Sequence, residues 1–229
     1  MTSTTAPHDH DLPLEPTSRT RATRGRHRVV QDRSRLLALL QDAYVAHVAV
    51  SLADHPVVLP TAFAIDPDGP DEGGSLYLHG SVAAVWLGAA RDAQVCVSVT
   101  ELDGLVLGRS GFHHSMNYRS AVVIGTARVV EDAAERQRAL DLIVDHVVPG
   151  RAATLRPSTR KELAATLVLA VPLLEASMKE RSGGPGDDPA DVTAGGWGGH
   201  LPVRRVLGAP VPDADAVGPV PAEVVRLVV

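Results

Sequence analysis

Gln94-Val95-Cys96-Val97-Ser98-Val99-Thr100-Glu101 alternates without interruption. Val95, Val97 and Val99 take one face and Cys96, Ser98 and Thr100 the other, the period-two pattern of a strand with one side in a core. Asp103-Gly104 then predicts a turn into Leu105-Val106-Leu107, hence a hairpin. Tyr118–Val130 reads as one long strand, with Gly125 at a bulge or a close approach of backbone. Upstream, Tyr44–Leu52 and Pro56–Ile65 flank Ala53-Asp54-His55 as a second hairpin, and Asp66–Gly74 is a loop by its Pro, Gly and Asp content. Ser75–His79 is a further strand. Gly80-Ser81 is expected to end it and to cap a helix over Val82–Arg91.

Leu36, Leu37 and Leu40 place an amphipathic helix over Arg33–Asp42. Glu131 and Asp132 open a helix through Val148 that Pro149-Gly150 stops. Thr159–Ala165 predicts a short helix leading into a strand over Thr166–Leu174. About seven strands joined by hairpins, with helices between them, predict an α+β fold, mainly antiparallel β and barrel-like. The absence of G-x-G-x-x-G and G-x-x-x-x-G-K argues against Rossmann and P-loop nucleotide sites.

The 229 residues are 45% hydrophobic, enough for one substantial core. No apolar run approaches the about 18 residues of a membrane span, and the polar N-terminus does not read as a secretory signal. The expected location is cytoplasmic. Cys96 is the single cysteine, which excludes an internal disulfide and a cysteine-based zinc site. A net charge of −5 argues against a surface built for nucleic acid. We expect a disordered arm over residues 1–22, one domain over 23–212 and a tail over 213–229. Seven arginines crowd Arg19–Arg35, as a solvated arm, a surface for an acidic partner or a site for a phosphate-bearing ligand. Beyond Ser182 the Gly- and Pro-rich chain is expected to lie over the domain.

Three segments carry candidate chemistry. At His79-Gly80-Ser81 a strand end meets a predicted helix start, which is a phosphate cradle or an ordinary serine cap. His113 and His114 are adjacent on extended chain and point apart, which disfavours one metal held by both. Lys179 and Arg181 precede a Gly-rich stretch, as a phosphate or ring contact or as a solvated end. No metal site is expected. Cys96 reads as an inert thiol within a strand.

Taken together, Leu76-Tyr77-Leu78-His79-Gly80-Ser81, Val95–Thr100 with Asp103–Leu107, and His114-Ser115-Met116-Asn117-Tyr118-Arg119-Ser120 resemble the pyridoxamine 5′-phosphate oxidase-like flavin-nucleotide-binding proteins, and in particular the nitroimidazole-resistance (Nim-type) branch. The resemblance implies an FMN-binding split β-barrel with peripheral helices, a homodimer with flavin at the subunit interface, and reduction of a small organic molecule such as a nitroaromatic. It implies cofactor contacts from Pro60, Thr61 and Ala62, from His79, Gly80 and Ser81, and from Val95 and Val97. His114, Asn117, Tyr118 and Arg119 would border the pocket, and Lys179 and Arg181 would lie near the phosphate or ring. His79 is the candidate proton donor. Two other readings stay open: a flavin or haem carrier without turnover, and a reductase using the deazaflavin F420. The C-terminal signature of true pyridoxamine phosphate oxidases is missing.

Overall fold

The computed structural model describes residues 12–228. In chain order the elements are β1 (Val29–Val30), α1 (Arg33–Asp42), β2 (Ala46–Ser51), β3 (Pro56–Thr61), β4 (Phe63–Asp66), β5 (Ser75–Ser81), α2 (Val85–Ala89) and β6 (Ala93–Leu107). They continue with β7 (Ser115–Val129), α3 (Ala133–Val147), α4 (Arg160–Ala165), β8 (Thr166–Pro172), β9 (Ala176–Arg181), α5 (Pro189–Ala194), β10 (Gly199–Pro202) and α6 (Ala222–Val225). The strands form one mainly antiparallel sheet in the order β3-β2-β6-β7-β8-β5-β4, with β9 on β7, β1 on β9 and β10 on β6. It curls into the expected split barrel.

Alternation in β2, β6 and β7 turns Val48, Val50, Val95, Val97, Val99, Ala121 and Val123 inward. There they meet Leu36, Leu39 and Leu40 of α1 and Phe63, Leu76 and Leu78 of β4 and β5. A smaller cluster under α3 joins Ala64, Tyr77, Val168, Ala170, Ala139 and Ile143. Asp132 caps α3 by accepting the Glu135 N–H at 2.8 Å. At α4 Thr159 and Glu162 form a reciprocal capping box.

Several local expectations are corrected. Asp103-Gly104 is not a turn: β6 runs through it to Leu107, with a register irregularity between Leu102 and Gly104. A Cβ at Gly104 would lie 2.9 Å from the Leu201 carbonyl oxygen, so the glycine admits the backbone of β10. The helix expected over 82–91 is only α2, with Ala84 at its N-cap, and Ser81 is the last residue of β5, paired with Thr166 of β8. The strand expected over 56–65 breaks at Ala62, where the chain leaves β3, paired with β2, for β4, paired with β5.

Of the arm over 1–22, residues 1–11 lie outside the described residues. In the remainder Leu14 is buried in the main core, its N–H bonded to the Gln31 carbonyl at 2.8 Å. The C-terminal stretch lies over the domain in part. After β10 residues 203–220 are exposed, yet Arg205 bonds Glu101 at 2.6 Å and Asp42 at 3.0 Å, and Glu223 returns to Arg151 at 2.9 Å. Among the described residues no helix is long and apolar enough to cross a membrane.

Gly125 is the close approach that its position in β7 predicts: a Cβ there would stand 3.0 Å from Val171 Cγ1 and 3.2 Å from Pro172 Cδ. Gly125→Val should therefore lower stability by about 1–3 kcal/mol through overpacking. Urea denaturation followed by far-ultraviolet circular dichroism checks this.

Candidate functional site

The break at Ala62 creates the first part of the site. Phe63 pairs with Leu78, so Pro60, Thr61 and Ala62 run past the end of β5, where His79, Gly80 and Ser81 lie. Ala62 and His79 are thus the residues just beyond the last pair of β4 and β5 at this end. Pairing with Val168 puts His79 on the sheet face of Tyr77 and Val168, toward the smaller cluster. Gly80 looks the other way, where an added Cβ would meet Leu87 Cδ2 at 3.4 Å. His79 Nδ1 is buried without a hydrogen-bond partner, and burial pushes the imidazole pKa down, toward the neutral ring. The Ser81 hydroxyl accepts from the Ala83 N–H at 3.2 Å, a local turn, so no helix start forms a phosphate cradle there.

Beneath His79 a polar network fixes β5 to α3. Tyr77 Oη donates to Glu135 at 3.0 Å, and burial with the neighbouring carboxylate raises the phenol pKa to about 12. Arg128 of β7 bridges Asp71 (2.6 and 2.8 Å) and Glu135 (3.1 and 2.5 Å). Arg138 grips Asp66 at 2.6 and 3.0 Å.

The outer face of the sheet is the second part. Val58, Ala49, Cys96 and Ile124 form one cross-strand row, and Pro60, His47, Ser98, Val122 and Ser177 the next. Val58 is 62% exposed. Val95 and Val97 are not on this face: both are in the core, 2% and 1% exposed, so only their backbone can border a ring.

The third part gathers the remaining expected residues at the start of β7 and the end of β9. Asn117 is buried, accepts from Arg181 at 2.5 Å and donates to the Gly183 carbonyl at 3.1 Å. Arg181 also donates to the Gly184 carbonyl at 2.8 Å. Arg119 is held by both oxygens of Asp103 (3.1 and 3.0 Å) and by Asp42 (3.2 Å), which keeps its pKa high. Asn117 and Arg119 therefore shape the wall, with Tyr118 between them along a cleft of about 410 Å³ that also takes in Arg181. His114 lines a neighbouring cavity of about 540 Å³ with Arg28, His113 and Arg181. Lys179 is turned to the Arg24 carbonyl at 3.3 Å and lines neither. His113, Asp188 and Asp191 can bring donor atoms within 4.8 Å of one another.

The arginine run divides by partner. Arg19 pairs with Glu175 and Arg35 with Glu180, and Arg33 is buried against the carbonyls of Leu12, Leu173 and Leu174. Arg28 Nε is buried and has no hydrogen-bond partner. Sequence reasoning marked the run as a whole and could not single out Arg28, because its distinction is a buried and unpaired Nε, which only the fold decides.

The sequence profile of the pyridoxamine 5′-phosphate oxidase family matches residues 32–180. The chain belongs to that family. A flavocytochrome from Azotobacter vinelandii, Anf3, is 33% identical, with 94% of this chain and 99% of that one covered at a TM-score of 0.85. An FAD- and haem-binding protein from Mycobacterium smegmatis is 41% identical over 88% of this chain and 97% of its own, at a TM-score of 0.81. A Bacteroides thetaiotaomicron protein named for 5-nitroimidazole antibiotic resistance shares 24% identity over 66% and 85% of the two chains, at a TM-score of 0.52, and supports the fold alone. No protein with a curated description matches in sequence.

The Asp71–Arg128 pair makes a pH prediction. Burial would raise the Asp71 carboxyl pKa, but hydrogen bonds from Arg128 and Ser75 outweigh it and leave it below the ordinary value. A folded-state pKa below the unfolded one gives stability that is present at neutral pH and lost as pH falls through the folded value. Asp71→Asn should cost about 1.5–3 kcal/mol at pH 7. Its deficit against wild type should shrink below the unfolded carboxyl pKa of about 3.9, as read by denaturation across pH.

Proposed function

We propose that this chain is a redox protein that binds a flavin nucleotide and a haem, and acts as a homodimer on a small-molecule partner. The carrying observation is likeness over nearly the whole chain to two proteins named for both cofactors, a flavocytochrome and an FAD- and haem-binding protein. The FMN expected from the sequence gives way in this proposal to FAD, the form named for the 41% relative. Turnover of a nitroaromatic has weaker support, since the Nim-type likeness carries only the fold.

The residues fit both groups. A neutral imidazole with an unpaired buried nitrogen is the donor that haem iron takes, and His79 offers one. Its backbone is fixed by pairing with Val168 and by the Tyr77–Glu135–Arg128 network below, which limits its motion. The flavin supplies hydride and electron transfer when bound. Around it the protein would supply Pro60, Ser98 and Val122 of the outer face as a flat wall. That open face and the exposed segment 203–220 suit a second copy of the chain, which would cover apolar side chains such as Val58 and exclude water from the ring.

Purified protein should show both a flavin band and a Soret band. His79→Ala should abolish the Soret band and keep the flavin, and chromatography of the released flavin should give FAD. A protein that takes up neither flavin nor haem overturns the reading. Light scattering should give a dimer, and Val58→Arg should shift it toward monomer.

A further inference from the structure

We propose that the cavity beside Arg28 binds the phosphate or diphosphate group of an anionic ligand, with Arg28 as its principal contact. The cavity, about 540 Å³, is in the range of ligand sites and opens between residues 27–28, 112–115 and 180–186. Its charge is set by partners. Glu180, the one carboxylate along its wall, is paired with Arg35. Arg181 is held by Asn117 and the carbonyls of Gly183 and Gly184, all neutral groups, so its positive charge is uncompensated. Among the described residues Arg28 has no ion-pair partner, and its buried Nε donor meets no acceptor.

Two guanidinium groups along one cavity, one with a desolvated donor unused among the described residues, suit a group with several anionic oxygens. His113 adds little, because Asp188 stands 3.5 Å from it. His114 directs Nδ1 at the Ser110 carbonyl, 3.0 Å away, which leaves Nε2 as its remaining polar atom. The phosphate could come from the flavin's own tail, which rests on the reading above, or from a separate phosphorylated substrate, which does not.

The experiment separates these sources. Wild type, Arg28→Gln, Arg28→Lys and Gly186→Asp are titrated calorimetrically at low salt, and folding is checked by thermal melting. An added Cβ at Gly186 meets nothing within 4 Å, so that variant sets a carboxylate on the wall without a clash and leaves Arg28 in place. Each protein is titrated with inorganic pyrophosphate as purified, and with FAD and riboflavin after flavin removal. If the cofactor's tail occupies the cavity, Arg28→Gln and Gly186→Asp weaken FAD about tenfold or more, leave riboflavin unchanged, and Arg28→Lys recovers part of the loss. If a separate ligand does, FAD is unaffected and pyrophosphate binding to the protein as purified falls by a similar factor. Unchanged affinity for both in folded Arg28→Gln and Gly186→Asp overturns the site. A chain that takes up no flavin yet binds pyrophosphate through Arg28 overturns the flavin reading alone.

Discussion

The pairing of β6 with β7 is the constraint on which the rest depends. Both strands run for 15 residues, and the hairpin they form joins the two halves of the sheet. β6 carries β2 and β10, while β7 carries β9 along residues 118–123 and gives its last residues to β8. Alternation along this hairpin decides which residues enter the core. A slip of one residue would exchange Val95, Val97 and Val99 for Cys96, Ser98 and Thr100 and move every valine to the outside. The candidate site inherits the same register, because its outer wall is the opposite face of those strands.

That alternation is local information, which is why an antiparallel, barrel-like sheet was legible, while the split barrel came from the family resemblance. Helices α1, α3 and α4 were legible for the same reason, through apolar spacing and caps such as Asp132 and Thr159. The errors arise where a distant strand overrides a local signal. Asp103-Gly104 has the composition of a turn, yet Gly104 serves the approach of Leu201 almost a hundred residues later, and Asp103 binds Arg119 across the hairpin. Gly80-Ser81 has the composition of a helix start, yet pairing with Leu167 and Thr166 draws both into β5.

Site residues divide in the same way. His79 was marked from its own motif and the 60–62 segment through the family resemblance alone, and the Phe63–Leu78 pair sets Ala62 and His79 at the same end of β4 and β5. The strand pattern shows that Val95 and Val97 share a face but not which object lies on it, and that object is the core. Asn117, Arg119 and Arg181 line a cleft, but their polar groups are largely used in holding its wall. Their value is positional, since the Asn117–Arg181 pair fixes the 183–184 backbone that borders both cavities.

Among the described residues, two buried side-chain polar atoms lack a hydrogen bond, Arg28 Nε and His79 Nδ1. A buried unsatisfied donor or acceptor costs about 1–3 kcal/mol, a sizeable part of a typical stability of about 5–15 kcal/mol. The chain otherwise meets this requirement with care. Arg33 is buried and satisfied by three carbonyls, and Arg128 by two carboxylates. Poor composition is therefore not the cause, since nearby arginines in the same run found partners. Each exception has the donor chemistry of one ligand class, an imidazole for a metal centre and a guanidinium for a phosphate. Binding would replace a desolvated, unpaired group with a paired one, so the ligand would gain affinity from a cost the folded protein already carries.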